Sequence, residues 1–107
     1  MNNTKELVSS LFPKNVTVDS NSLIIGDLKI SNIVEEFGSP LYIYDFDTIR
    51  KQYDDFHQTF SKHYGALDIL YASKVFLNLP IAKMLNSLNI KFDVVSHGEI
   101  AMLLAAN

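Results

Sequence analysis

The chain has 107 residues, of which 48% are hydrophobic and 20% are charged, and its formal net charge is −3. These values are typical of a globular protein and give no support to nucleic-acid binding. The N-terminus does not resemble a signal peptide, no apolar run reaches the ~18 residues of a membrane span, and the lack of cysteine excludes thiolate chemistry. We therefore expect a cytoplasmic protein with no membrane partner.

Short elements are predicted near the N-terminus. Residues 7–12 fit one or two helical turns. Residues 16–18 and 23–25 predict two strands joined by a polar turn, and Gly26-Asp27 begins a second turn into residues 28–30.

A short helix and a further strand follow. The helix is predicted around residues 33–37, and Gly38 is expected to end it. Residues 41–44 are aromatic and β-branched and predict a strand. Asp45 and Asp47 are candidates for the N-cap of the next helix.

That next helix shows a clear apolar face. From Thr48 onward, large apolar residues recur at helical spacing, at Ile49, Tyr53, Phe56 and Phe60. His57 and His63 have no histidine or carboxylate partner at a metal-binding spacing, so we predict that they face solvent and that there is no metal site.

From residue 65 onward strands and helices alternate. Strands are predicted over residues 68–74 and 91–96. The helix between them contains Pro80 in its first turn, an apolar face at Ile81, Met84, Leu85 and Leu88, and Asn89 as its terminator. A last helix follows residue 96, with Ile100, Leu103 and Leu104 predicted on its buried side.

Strands joined in this way are parallel, with a right-handed crossover. The α/β pattern suits a (β/α) barrel or a doubly wound sheet, and the lack of Gly-x-Gly-x-x-Gly argues against a dinucleotide fold. Because a complete barrel needs on the order of 200–250 residues, we expect an N-terminal piece of a larger protein.

Lys74 is the first candidate for chemistry. Strand alternation places Leu70, Ala72 and Lys74 on one face, with the lysine at the carboxyl end where barrel enzymes carry their catalytic groups. Two interpretations are open. The side chain either lays its stem over apolar surface with its charge in water, or it supplies a functional amine.

Asp93 belongs to the neighbouring predicted strand and is expected to point inward beside Lys74. Because an unpaired buried charge is costly, two explanations are available. The two side chains form a buried ion pair, or they belong to a functional site. Buried ion pairs contribute little net stability, which favours the site.

Residues Ser96-His97-Gly98-Glu99 precede the last helix. Ser-x-x-Glu is the pattern of a capping box, in which the serine accepts from the N–H of Glu99 and the glutamate accepts from the N–H of Ser96. The alternative is that this helix N-terminus borders a bound anion or cofactor, and both roles are compatible.

These motifs resemble a known family. Tyr71-Ala72-Ser73-Lys74 is similar to the Tyr-Ala-x-Lys motif of pyridoxal-phosphate-dependent decarboxylases with an alanine-racemase-like barrel. Residues 92–99 resemble the Phe-Asp-Val-Val-Ser-Gly-Gly-Glu signature of the diaminopimelate decarboxylases, with His97 in place of a glycine. Residues 40–45 match the entry strand of that family, and the resemblance covers roughly residues 23–107.

The resemblance implies a function and a site. Lys74 would bind pyridoxal 5'-phosphate covalently, Ala72 and Asp93 would lie against the cofactor, and Glu99 would lie at its edge. The activity implied is decarboxylation of meso-2,6-diaminopimelate to L-lysine and CO2. The phosphate and the pyridine nitrogen would be bound by residues later in the family's sequence, so residues 1–107 alone are expected to be inactive.

The resemblance also implies an architecture. Residues 1–45 would contribute strands to a separate β-domain, and residues 46–107 would begin a (β/α)8 TIM-like barrel in a homodimeric enzyme. Two alternatives remain. One is a pyridoxal-phosphate decarboxylase acting on ornithine or carboxynorspermidine, and the other is a non-catalytic regulatory member of the fold. Lys74 argues against the second, because a regulator has no need of a buried amine.

Overall fold

The computed structural model describes residues 10–13 and 15–107. The chain divides into two compact units, Met1–Asp54 and Asp55–Asn107. The predicted domain boundary between residues 45 and 46 concerns the whole protein and stays a prediction. Of the helix predicted over residues 7–12, residues 7–9 lie outside the described residues, and Ser10 and Leu11 are helical. Within the described ranges, no helix combines the length and apolar character that a bilayer crossing needs.

The first unit contains a three-stranded antiparallel sheet. Strand β1 (Val16–Asp19) pairs with β2 (Ser22–Ile25), and β2 pairs with β3 (Leu28–Lys29). The connecting turns use positive φ angles, 56° at Ser20 and 58° at Gly26, and glycine adopts this conformation without steric cost. The strands and turns predicted in this region are confirmed.

Helix α1 (Ile30–Phe37) ends at Gly38, as predicted. Gly38 has a φ of 82°, and its N–H donates to the carbonyl of Val34 at 2.8 Å, which satisfies one of the last carbonyls of the helix. The strand predicted over residues 41–44 is wrong, since these residues are in no strand and Tyr42 is 90% exposed. A strand needs a neighbour for its N–H and C=O groups, which aromatic and β-branched composition cannot supply by itself.

Helix α2 (Phe46–Tyr64) begins after Asp45, which acts as its N-cap. The Asp45 carboxylate accepts from the N–H of Asp47 at 3.1 Å and from the hydroxyl of Thr48 at 2.6 Å. Of the two candidate caps, the structure therefore selects Asp45, and Asp47 lies within the first turn.

The predicted apolar face of α2 is present but open. None of the side chains of this helix is buried. Phe56 and Phe60 are 50% and 40% exposed, and their rings stack with centroids 4.4 Å apart. His57 is only half-buried and its Nδ1 lies 3.4 Å from the hydroxyl of Ser61, so this histidine is not fully solvated as predicted.

The second unit alternates strands and helices. Its elements are β4 (Leu70–Ala72), α3 (Leu79–Ser87), β5 (Lys91–Asp93) and α4 (His97–Ala106). Strands β4 and β5 pair in parallel, so the predicted parallel pair with a helical crossover is confirmed. Both strands are shorter than the predicted ranges of residues 68–74 and 91–96.

Helix α3 supplies most of the buried apolar side chains of this unit, at Ile81, Ala82, Met84 and Leu85. Its N-cap is Asn78, whose side-chain oxygen accepts from the N–H of Ile81 at 2.9 Å. Asn89 follows the helix with a φ of 56°, which confirms it as part of the terminator.

Helix α4 differs from its prediction. Ile100 and Leu104, predicted to be buried, are 43% and 70% exposed, whereas Ala106 is buried. Apolar periodicity identifies the face of a helix that favours burial, but it does not supply the surface that covers this face. The two side chains instead line an open apolar groove of about 280 Å³.

Candidate functional site

The two faces of the β4–β5 pair have different surroundings. Ala72 lies opposite Asp93 and Tyr71 opposite Phe92 in the parallel register. Because side chains alternate along a strand, Ala72 and Asp93 share one face and the two aromatic residues share the other. The rings of Tyr71 and Phe92 meet edge to face, with centroids 6.4 Å apart.

Helices cover the aromatic face. Phe92 and Val94 line the apolar groove together with side chains of α3 and α4, among them Ala82, Asn86 and Leu103. The opposite face is open, since Lys91 and Asp93 are exposed and Leu70 is 58% exposed. This asymmetry is typical of one βαβ unit of an α/β protein, in which the crossover helix covers one face of the strands.

Lys74 lies just beyond the carboxyl end of β4, in a turn. The N–H of Val75 donates to the carbonyl of Ala72 at 3.1 Å, which closes residues 72–75 into a β-turn. The N–H of Ser73 still donates to the carbonyl of Asp93 at 3.1 Å. Strand β4 ends at Ala72 and backbone pairing with β5 continues only as far as Ser73, so the prediction that Lys74 belongs to the strand is wrong.

The ion-pair interpretation of Lys74 is not supported. Both Lys74 and Asp93 are exposed, and the part of the chain that the structure describes contains no ion pair between them. The charge of Lys91 is instead paired with Asp68, at 2.5 Å. The open face at the carboxyl ends of the strands thus presents an amine and a carboxylate that do not neutralise each other.

Three of the predicted site residues come together at one edge. Ala72 and Asp93 are register partners at the ends of β4 and β5, and Lys74 follows in the turn. The small side chain of Ala72 leaves space beside the carboxylate on the open face. A primary amine at an accessible edge can bind a carbonyl compound through an imine.

Glu99 lies at the same edge through a backbone contact. Ser96 is the N-cap of α4, and its hydroxyl accepts from the N–H of Glu99 at 3.3 Å, as predicted. The return bond differs from the prediction, because Glu99 Oε2 accepts from the N–H of Val95 at 2.7 Å and not from Ser96. This contact holds the Glu99 carboxylate against the backbone of Val95, two residues beyond Asp93.

Two other residues at this edge have contacts or burial that the sequence did not predict. The hydroxyl of Tyr71 donates to the carbonyl of Phe76 at 2.6 Å and so ties down the loop that follows Lys74. Ser73 is only 2% exposed. Alternation along β4 places Tyr71 on the face opposite Ala72, and Tyr71 also belongs to the Tyr-Ala-x-Lys motif. Neither signal reveals a bond across five residues or the burial of Ser73.

Comparisons with known proteins agree on one family. Residues 46–107 match the family model described as "Pyridoxal-dependent decarboxylase, pyridoxal binding domain". A diaminopimelate decarboxylase of Synechocystis sp. is 36% identical over 91% of this chain, and one of Methanothermobacter thermautotrophicus is 33% identical over 90%. The resemblance inferred from the motifs is confirmed.

Solved structures give the same result. Diaminopimelate decarboxylase from M. jannaschii, in co-complex with L-lysine, superposes with a TM-score of 0.77 at 28% identity and covers 88% of this chain. The chain covers 23% of that structure. It spans 21% and 22% of the Synechocystis and Methanothermobacter relatives, so it corresponds to about a fifth of their length.

Proposed function

We propose, from the premise that this chain belongs to the pyridoxal-dependent decarboxylase family and matches its pyridoxal binding domain over residues 46–107, that the whole protein decarboxylates meso-diaminopimelate. The names of the relatives support this substrate, and so does the L-lysine in the co-complex of the M. jannaschii enzyme. The reaction breaks one C–C bond to a carboxylate. CO2 leaves, a proton replaces it, and L-lysine is the product.

The observation that carries the proposal is the juxtaposition at the strand ends. Ala72 pairs in register with Asp93, and Lys74 follows in the turn on the same edge. The strand ends of a parallel α/β unit are the positions where such folds place their reactive groups. A lysine side chain at this edge can reach a ligand bound over the open face.

The described residues fit pyridoxal phosphate. Lys74 would hold it covalently through its side-chain amine. When bound, the cofactor supplies the electron sink for the pair released with CO2. Asp93 and Ala72 would contact the ring, and Glu99, anchored on the Val95 N–H, would border it. We expect the groups that bind the phosphate and the pyridine nitrogen outside residues 1–107.

We further propose the architecture that the resemblance implies. Residues 46–107 would begin a (β/α)8 barrel of the alanine-racemase type, and residues 1–45 would add strands to a separate β-domain. Support comes from the parallel β4–α3–β5 unit and from the antiparallel sheet that precedes it. A homodimer and a cytoplasmic location are proposed on the resemblance and on the composition alone.

Substitution of Lys74 tests the function. In the whole protein, Lys74→Ala and Lys74→Arg should both abolish CO2 release from meso-diaminopimelate, because neither side chain can form an imine. Lys83→Ala in α3, which removes an exposed lysine of the same unit, is the matched control and should keep the activity. CO2 release by the wild type only from ornithine or carboxynorspermidine would refute the substrate, and an active Lys74→Ala variant would refute the site.

A further inference from the structure

Ser73 contains a buried polar atom without a visible role. The residue is 2% exposed, and its hydroxyl oxygen has no hydrogen-bond partner among the described residues. A buried hydroxyl gives up its bonds to water, and leaving it unpaired in the folded state is costly. Native proteins therefore pair almost all such groups, with protein atoms or with an ordered water.

Ser73 lies where a hydrogen bond of its side chain would affect the neighbouring Lys74. Its backbone N–H donates to the carbonyl of Asp93, so the residue is held between the ends of the two strands. By alternation its side chain is on the face of Tyr71, the face that α3 and α4 cover around Phe92 and Val94. The next residue is Lys74, within the turn that Val75 closes.

Packing alone does not explain a serine here. An alanine would occupy nearly the same volume and would leave no polar atom to be satisfied. The hydroxyl is thus useful only if it makes a bond, and a bond at this point would fix the residue from which the Lys74 turn departs. Tyr71, bonded to the carbonyl of Phe76, fixes the far side of the same loop.

We infer that Ser73 is a positioning residue for Lys74. Its hydroxyl is hydrogen-bonded on the helix-covered side of the sheet, to a buried water or to a polar group of the rest of the protein, and this bond holds the turn of residues 72–75 in place. The inference rests on the proposed function, because it assigns to the turn the task of presenting the Lys74 amine to the cofactor. A fixed amine has a higher effective concentration than a mobile one.

The test compares Ser73→Ala, Ser73→Thr and a matched control in the whole protein loaded with pyridoxal phosphate. Hydroxylamine is titrated against the visible absorbance of the lysine-linked cofactor. Ser73→Ala should lower the hydroxylamine concentration for half displacement by about tenfold, the order expected for one lost hydrogen bond. Ser73→Thr keeps the hydroxyl and should stay within about twofold of the wild type. The control, Ser87→Ala, removes a hydroxyl that donates to Met84 at 2.6 Å in α3 and should have no effect.

Amide hydrogen exchange of Ser73 and Val75, whose N–H groups donate to the carbonyls of Asp93 and Ala72, gives a second readout in the cofactor-free protein that does not depend on the reaction. Both amides should exchange faster in Ser73→Ala and not in Ser87→Ala. Unchanged displacement and exchange in Ser73→Ala would overturn the inference. Threonine adds a methyl group to a buried site, so Ser73→Cys is the second variant that can contradict it. Its thiol is a weak hydrogen-bonding group, so this variant has to behave like alanine, and wild-type behaviour would overturn the inference too.

The two proposals fail in different ways. If borohydride fixes no cofactor on Lys74 of the wild type, the proposed function fails. If it does fix the cofactor there and Ser73→Ala behaves like the wild type, only the role of Ser73 fails.

Discussion

Substitution of Glu99 should destabilise the start of α4 more than substitution of Ser96. The Ser96 bond to the N–H of Glu99 is long, 3.3 Å, and exposed, so its loss in Ser96→Ala should cost about 0.5–1 kcal/mol, the lower half of the range for N-caps. The bond from the Val95 N–H to the Glu99 carboxylate is exposed as well, but it is shorter, 2.7 Å, and charge-assisted. Glu99→Ala should therefore cost about 1.5 kcal/mol, the lower end of the range for charged hydrogen bonds.

Native-state amide exchange in the cofactor-free whole protein measures the loss of local stability in both variants. Loss of about 1.5 kcal/mol should speed exchange of the Val95 amide by roughly tenfold in Glu99→Ala, while Ser96→Ala should affect the Glu99 amide less. Glu99→Gln keeps an acceptor without the charge and should fall between wild type and alanine. Cofactor affinity should hardly change in Ser96→Ala. A tenfold loss of affinity at unchanged exchange would show that Ser96 binds the cofactor instead, and a larger cost for Ser96→Ala than for Glu99→Ala would refute the ranking.

Three further predictions concern the second unit, each measured by the melting temperature of the whole protein. Asn78→Ala removes the N-cap bond of α3 and should cost about 1 kcal/mol, whereas no loss would show that the cap contributes nothing. Asn89 has a φ of 56°, so Asn89→Ala should cost about 1–2 kcal/mol, while Asn89→Gly should be neutral or stabilising. The Lys91–Asp68 ion pair is exposed, and a double-mutant cycle should give a coupling energy below about 1 kcal/mol; a larger value would contradict a solvent-screened pair.

The order of elements in the second unit could be predicted because local signals agree there. Pro80 and Asn89 mark the ends of one helix, and the spacing between the strands leaves room for a crossover and hence for parallel pairing. The lengths of the two strands could not be predicted, since a strand ends where its partner's backbone stops pairing. The pairing stops at Ser73 for this reason, and Lys74 enters a turn.

The wrong predictions concern features that depend on contacts between residues far apart in the sequence. Residues 41–44 have strand composition but lie in no strand, and Ile100 and Leu104 have helical periodicity but are exposed. For the site, motif spacing was enough to bring Lys74 and Asp93 to one edge, because Asp93 ends β5 and Lys74 follows the end of the adjacent parallel strand β4. The acceptor of the Val95 N–H and the buried hydroxyl of Ser73 depend on side-chain geometry, which no pattern of residue types encodes.

The most direct test of the proposed function is to locate the cofactor on the chain. The whole protein is incubated with pyridoxal phosphate, reduced with borohydride, digested and analysed by mass spectrometry. The position of Lys74 in the turn at the end of β4 predicts that the reduced cofactor is found on the peptide containing Lys74. Label on Lys83 or Lys91 with Lys74 unmodified, or no label at all, would contradict the assignment.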